Sequence, residues 1–281
     1  MLGSYTATQA AAAGWDVSAT YGSNAVELPG VRMERLDIAD ASDVSQLVGR
    51  IRPDVIIHTA AQAKPDVCEE RKRFAFDTNV RGTDNLVRAA ETIGAHFVHV
   101  STDLVFNGEH NPYPEGDRLS PPNYYGLTKA AAEAAVLASD ADAAIVRTPI
   151  IYGPRMFPNL NSFSDTIIHS LKTGKPMSAF SDQRRCPTPA WNLADVLLEI
   201  AERRLTGIFH AVCPESSTRY EFAVKLAETL GLDASLIRPA TMGQSPAVAF
   251  RPHDLILDTS CTQARLETRL LGLQEGIAIL R

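Results

Sequence analysis

The chain has 281 residues, 45% hydrophobic and 21% charged, an ordinary balance for a globular protein. That excludes a disordered tail, a collagen and a disulfide-stapled miniature, and no run of about 18 apolar residues marks a membrane span. Net charge is −6, from 27 basic and 33 acidic residues, which leaves no overall basic face for nucleic acid.

The chain opens at Met1-Leu2-Gly3 and runs straight into a helical pattern at 4–13. Strands are predicted at 16–21, 31–35, 54–58, 96–101 and 143–147. Helices are predicted at 42–51, 74–92, 124–137 and 162–171. Strands that alternate with helices of this length argue for βαβ units, an α/β fold with a parallel sheet covered on both faces. Runs such as Asp54-Val55-Ile56-Ile57 are nearly all apolar, as strands buried on both sides require. After about Pro149 the rhythm loosens. A Pro/Gly/Asn stretch at 152–161 precedes a loop at 181–189, a helix at 193–203, a strand at 207–212 and a helix at 220–230. An irregular tail is expected at 236–247. The division is therefore a first domain over 1–150 and a smaller lobe over 151–281, the two not strictly contiguous.

Two negative readings narrow the chemistry. Cys68, Cys186, Cys213 and Cys261 are far apart and form no C-x-x-C pair. They read as reduced thiols of a cytoplasmic protein, not as a zinc site. The seven histidines show no H-x-x-x-H spacing, so no metal is expected. Arg71-Lys72-Arg73 reads as a solvated helix face.

Tyr125-Gly126-Leu127-Thr128-Lys129 carries the strongest signal. Tyr and Lys at i and i+4 share one helix face. They follow Ser101-Thr102-Asp103 at the end of the strand 96–101, where open α/β sheets hold ligands and catalytic groups. Reducing a carbonyl needs a hydride on carbon and a proton on oxygen. A tyrosine with pKa ~10 is a poor acid at neutral pH, and a nearby ammonium would lower it. Tyr125 is then the candidate general acid, Lys129 its tuning cation and Thr102 the hydrogen-bond donor that holds the substrate oxygen.

His99 through Gly108, His-Val-Ser-Thr-Asp-Leu-Val-Phe-Asn-Gly, resembles the S-T-D-x-V-F-D/N-G segment of the extended short-chain dehydrogenases, most closely the dTDP-4-dehydrorhamnose reductase branch. The resemblance covers nearly the whole chain. It implies a Rossmann-type doubly wound sheet with a smaller C-terminal substrate lobe, and NADP(H) or NAD(H) as cofactor. Catalytic roles fall on Thr102, Asp103, Tyr125 and Lys129. Cofactor contacts fall on Leu2, Gly3, Asp37, Ile38, Thr59, Ala60, Ala61, Gln62, Asn79, Tyr125, Lys129 and Thr148. Val105, Phe106, Arg184, Arg185 and Arg251 are the implied substrate-binding residues, the arginines because guanidinium binds phosphate bidentately. The implied function is reduction of a 4-keto nucleotide sugar, a small-molecule substrate, with no nucleic acid or membrane partner and a homodimer left open.

The chain departs from the family pattern in three places. Of the family's G-x-x-G-x-x-G, only the last glycine is present, as Gly3, and the strand before it is absent. The expectation is that Met1 is an internal position of a longer product or a miscalled start; the alternative is a truncated relative with weak NAD(P) affinity. Thr20-Tyr21-Gly22-Ser23 has no acidic residue to select NAD, so NADPH is favoured, with dual use open. Arg147-Thr148-Pro149-Ile150-Ile151 lacks the tryptophan typical of the reductase branch, which leaves the sugar open. Leu104 stands where a dehydratase carries Glu, which argues against dehydration. An epimerase stays open. So does a nucleotide-binding regulatory role, because the branch includes the regulatory beta subunit of methionine adenosyltransferase.

Overall fold

The computed structural model describes residues 1–154, 156–157, 162–244 and 247–280. The first part contains α1 (Leu2–Ala12), β1 (Val17–Tyr21), β2 (Val31–Arg35), α2 (Ala41–Ile51) and β3 (Val55–His58). It continues with α3 (Pro65–Glu70), α4 (Lys72–Phe76), a π-turn at Asp77–Arg81, α5 (Gly82–Ile93), β4 (His96–Thr102), α6 (Tyr124–Leu137) and β5 (Ala143–Thr148). The second part contains β6 (Ile151–Tyr152), α7 (Phe163–Lys172), β7 (Met177–Phe180), β8 (Arg184–Arg185), β9 (Thr188–Pro189) and α8 (Ala190–Glu202). Then come β10 (Gly207–His210), β11 (Ser217–Thr218), α9 (Arg219–Thr229), β12 (Ile237–Ala240), α10 (Ser260–Arg265) and α11 (Leu273–Ala278).

A four-stranded parallel sheet runs in the order β10-β5-β4-β3. β1 and β2 form a separate parallel ladder, with Val17 opposite Val31. Among the described residues no strand pairing joins that ladder to β3. α1 spans the division, packing against β1 on one side and α8 on the other.

Strand alternation assigns the two faces. Phe97 and Ile145 join Leu47, Val48, Leu86 and Val87 from α2 and α5. Val98, Ala144 and Val146 join Leu193, Leu197 and Ile200 from α8. Burying each large apolar side chain contributes about 1.5–3 kcal/mol, so the two layers hold the sheet from both sides. α8 and β10 come from beyond residue 150, so the sequence after the first domain completes that domain's sheet and cover.

Three expectations about elements change. The helix predicted at 74–92 is interrupted, because the chain leaves α-geometry in the π-turn that holds Asn79, between α4 and α5. The tail at 236–247 holds a strand: β12 pairs in parallel with β7, a long-range partnership that the local pattern did not carry. The stretch at 152–161 lies partly outside the described residues.

Candidate active site

The site forms at the carboxyl ends of β3, β4 and β5. Thr102 and Thr148 are register partners at the last paired position of β4 and β5. Thr102 Oγ1 accepts from Leu104 N (3.3 Å) and donates to Asp103 Oδ1 (3.2 Å), which turns the chain sharply after the strand. Thr148 Oγ1 is buried with no hydrogen-bond partner.

α6 is started by Asn123, whose Oδ1 accepts from Gly126 N (2.9 Å). Tyr125 therefore lies in the first turn, with its phenol close to the Thr102 side chain. Burial is the main influence on that phenol and pushes it well above 10, with Asp103 and Cys68 adding to the rise and Thr102 opposing it. From the sequence, Lys129 is expected to lower this group. The structure reverses that, because desolvation outweighs the other influences and the Lys129 amine is engaged elsewhere.

Lys129 is 1% exposed. Its Nζ sits 3.1 Å from His99 Nε2 and donates to Val100 O at 2.8 Å. Burial brings its pKa down to about 7, against the pull of Glu133. Asp103 is also buried, which raises its carboxyl, while Arg185 and Thr102 act the other way.

Asn79, in the π-turn, braces the loop after β3. Its Oδ1 accepts from Gln62 N (2.7 Å), and its Nδ2 donates to Gln62 O (3.1 Å) and Thr128 Oγ1 (2.9 Å). Loop and helix are thereby tied through one fully buried amide. Ala60 and Ala61 are exposed beyond β3. Gly3 lies so close to Thr59 that a Cβ would meet Thr59 Oγ1 at 2.7 Å. Leu2 is buried beside α8. Asp37 is exposed and accepts from Ala39 N (3.0 Å); Ile38 is buried and its carbonyl accepts from Asn85 Nδ2 (2.9 Å).

The substrate-side expectations need correction. Val105 and Phe106 are fully buried core residues, with Phe106 stacked on Tyr113 at 4.3 Å, so neither lines a cleft. Arg185 is a buried brace that donates to Arg184 O, His253 O and Pro252 O, with its Nε 3.7 Å from Asp103 Oδ2. Arg251 pairs with Asp66 (2.9 Å), whose other oxygen accepts from Val248 N and Ala249 N. Arg184 pairs with Glu221 (3.3 Å) at the surface.

Sequence reasoning missed Arg219. Its Nε donates to Gln183 Oε1 (3.0 Å), and its guanidinium lies 4.6 Å over the Phe163 ring. Burial, then repulsion from Arg185, lower its pKa to about 9, while Asp103 opposes them. No carboxylate lies within salt-bridge distance of it among the described residues. One sequence signal pointed to it: a cation at the first position of a helix opposes the helix dipole and needs a reason. His99, the partner of Lys129, was also unassigned.

A hydroxyl at a strand end, a tyrosine and a lysine one turn apart and a two-faced parallel sheet together define an extended short-chain dehydrogenase/reductase fold. A family model described as RmlD substrate binding domain matches residues 2–280. The chain belongs to that family. It is 36% identical over 249 residues to methionine adenosyltransferase 2 subunit beta of Rattus norvegicus, covering 86% of this chain and 72% of that one. It is 31% identical over 255 residues to a probable low-salt glycan biosynthesis reductase of Haloferax volcanii, covering 88% and 85%. The structure matches that of dTDP-4-dehydrorhamnose reductase from Bacillus anthracis in complex with NADP, with TM-score 0.83, 29% identity and 91% of each chain covered.

Proposed function

We propose that the protein is an NAD(P)H-dependent reductase of a 4-keto nucleotide sugar. The observation that carries this reading is the convergence of Thr102, Tyr125 and Lys129, each nearly buried, at the carboxyl ends of β4 and β5. The relatives named as reductases, one of them solved with NADP, support it.

The residues present fit a nicotinamide dinucleotide. Thr148 Oγ1 is an orphaned buried hydroxyl beside Thr102. The N-terminus of α1 has no side-chain cap, and Gly3 brings it against Thr59. Leu2 and Gly3 would hold the pyrophosphate, Asp37 and Ile38 the adenine, and Thr59, Ala60, Ala61 and Gln62 the flank between them. Asn79 acts by holding Gln62. Tyr125 and Lys129 would meet the ribose, and Thr148 the nicotinamide. When bound in reduced form, the dinucleotide supplies hydride to the keto carbon.

The chain's own residues manage the proton. Thr102 would donate to the keto oxygen once its hydroxyl turns away from Asp103 Oδ1. Tyr125 gives its proton to that oxygen; burial holds this proton firmly in the structure, so its transfer depends on the charge that develops on the keto oxygen as hydride arrives. Lys129, whose amine is held by Val100 O and His99, would act at the ribose rather than on the phenol. Arg219, a cation with no carboxylate partner among the described residues, suits the diphosphate of a nucleotide sugar, with Arg185 and Arg251 adding positive potential and Arg184 at the rim. The test is NADPH oxidation with a panel of 4-keto nucleotide sugars, where one substrate should turn over. Product without net NADPH consumption would indicate an epimerase instead.

The 36% identity to a methionine adenosyltransferase subunit favours a second reading, a nucleotide-binding partner of another enzyme. Co-purification with such an enzyme, and no oxidation with any keto sugar, would favour it over the reductase.

A further inference from the structure

The amine of Lys129 faces a histidine, with no carboxylate in salt-bridge distance among the described residues. His99 Nε2 is 3.1 Å from Nζ, and the ring is fully buried. Its other nitrogen, Nδ1, is buried with no partner. The titratable groups that act on the amine are His58 from β3, His99 from β4 and Glu133 from its own helix. Glu133 is bound by Arg147 of β5 (2.8 Å) and by Ser101 (2.5 Å).

The hydrogen bonds determine the state of His58. Thr83 Oγ1 donates to Asn79 O (2.7 Å), so it must accept from His58 Nε2 (3.1 Å), and His58 is a neutral ring protonated at Nε2. His99 is different, because its one partner is itself titratable. A neutral lysine amine donates to Val100 O and offers its lone pair to a His99 Nε2–H. The unpartnered Nδ1 is then a bare lone pair, the less costly orphan. A charged ammonium has no lone pair, so Nε2 must become the acceptor and the ring proton must sit on Nδ1. That strands a buried donor but gains a charge-assisted bond.

We propose that His99 is a positioning residue that changes tautomer with the charge of Lys129, so that the amine stays hydrogen-bonded and pinned to β4 in both states. The protons balance. On net uptake of one proton, His99 gives its Nε2 proton to the amine and receives the solvent proton at Nδ1, and the ring is neutral before and after. Both rings are held far below the ordinary histidine range, by burial first and by the Lys129 charge second, which keeps them neutral through this exchange. The catalytic significance rests on the reductase reading; the tautomer change does not.

The test uses the full chain, without added nucleotide, labelled with 15N-histidine and 13C-lysine. NMR should show Lys129 titrating near pH 7 and His99 passing from Nδ1–H below that midpoint to Nε2–H above it, while His58 keeps Nε2–H throughout. Overturning results are a His99 that keeps one tautomer while Lys129 titrates, a His99 that becomes a cation, or a Lys129 that does not titrate between pH 5.5 and 9, roughly the span around a neutral midpoint. His99→Phe should lower kcat at least about tenfold with KM for the sugar little changed, and His99→Gln, whose amide can turn over to donate or accept, should restore most of it. Equal loss in both variants would leave only a packing role and would overturn the proposal. If no keto sugar turns over at all, the reductase reading fails, and the NMR result still decides the tautomer question.

Discussion

The backbone of Gly126 rests on the carbonyl oxygen of Leu104, so closely that a Cβ at Gly126 would overlap it. This contact lets the first turn of α6 touch the turn that follows β4, and it sets Tyr125 beside Thr102. The obstacle is backbone and cannot swing away. Gly126→Ala should therefore displace α6 and cut turnover roughly 10–100-fold, with about 1–3 kcal/mol lost from stability. Steady-state kinetics and urea titration check this. An alanine variant with native kcat would show that the approach is not needed.

The Glu133–Arg147 pair anchors the far side of the same helix. Both residues are almost fully buried, and Arg147 also donates to Glu115 O (2.9 Å) and lies 5.0 Å over Phe106. Glu133→Gln leaves a buried guanidinium without its counter-charge and should cost about 3–5 kcal/mol. Chemical denaturation gives the value, and a loss under about 1 kcal/mol would mean the site is wetter than the geometry indicates.

Asn79→Ala removes the amide that ties Gln62 to Thr128. The expected outcome is NADPH binding weakened roughly tenfold and stability lowered by about 1–3 kcal/mol, since Gln62 N loses its acceptor and Gln62 O keeps only the weak Cys68 thiol donor. Calorimetric titration measures the first. Unchanged affinity would confine Asn79 to packing.

Lys129 predicts a pH dependence of stability. The unfolded chain holds this proton up to about 10.5, while the folded site releases it near 7. Between those values the unfolded state binds more protons, so stability rises with pH through that window. Lys129→Met removes the effect. The native chain should gain at least about 1 kcal/mol on the variant between pH 7 and pH 9, measured by urea unfolding of each. A constant difference across that range would mean that the amine stays charged in the fold.

On the proposed reading, which gives the Arg219 guanidinium the diphosphate of the sugar nucleotide, Arg219→Met should raise KM for the nucleotide sugar at least about tenfold and leave NADPH affinity unchanged. Equal losses for both ligands would point to a general collapse of the lobe.

Much of the fold was legible. β2 and α6 occupy the predicted spans, and β3, β4 and β5 differ by a residue or so at their ends. Local period and strand burial specify these elements. The π-turn at Asn79 was not legible, because it inserts one residue into an otherwise continuous helical pattern to satisfy Gln62, 17 residues away. Nor was β12, whose partner β7 lies some 60 residues earlier, with Ile237 opposite Met177.

The sequence by itself determined which residues could do the chemistry. Tyr125 and Lys129 share a face because the helical period puts them one turn apart, and Thr102 ends its strand because the apolar run ends there. Only the tertiary structure decided their states and partners. It turned Val105 and Phe106 inward, committed Arg251 to Asp66 across 185 positions of chain, left Arg219 without a carboxylate among the described residues, and set His99 against the Lys129 amine. The reason is physical: spacing along the chain decides orientation within one element, while charge and protonation are decided by burial and by groups that arrive from distant segments.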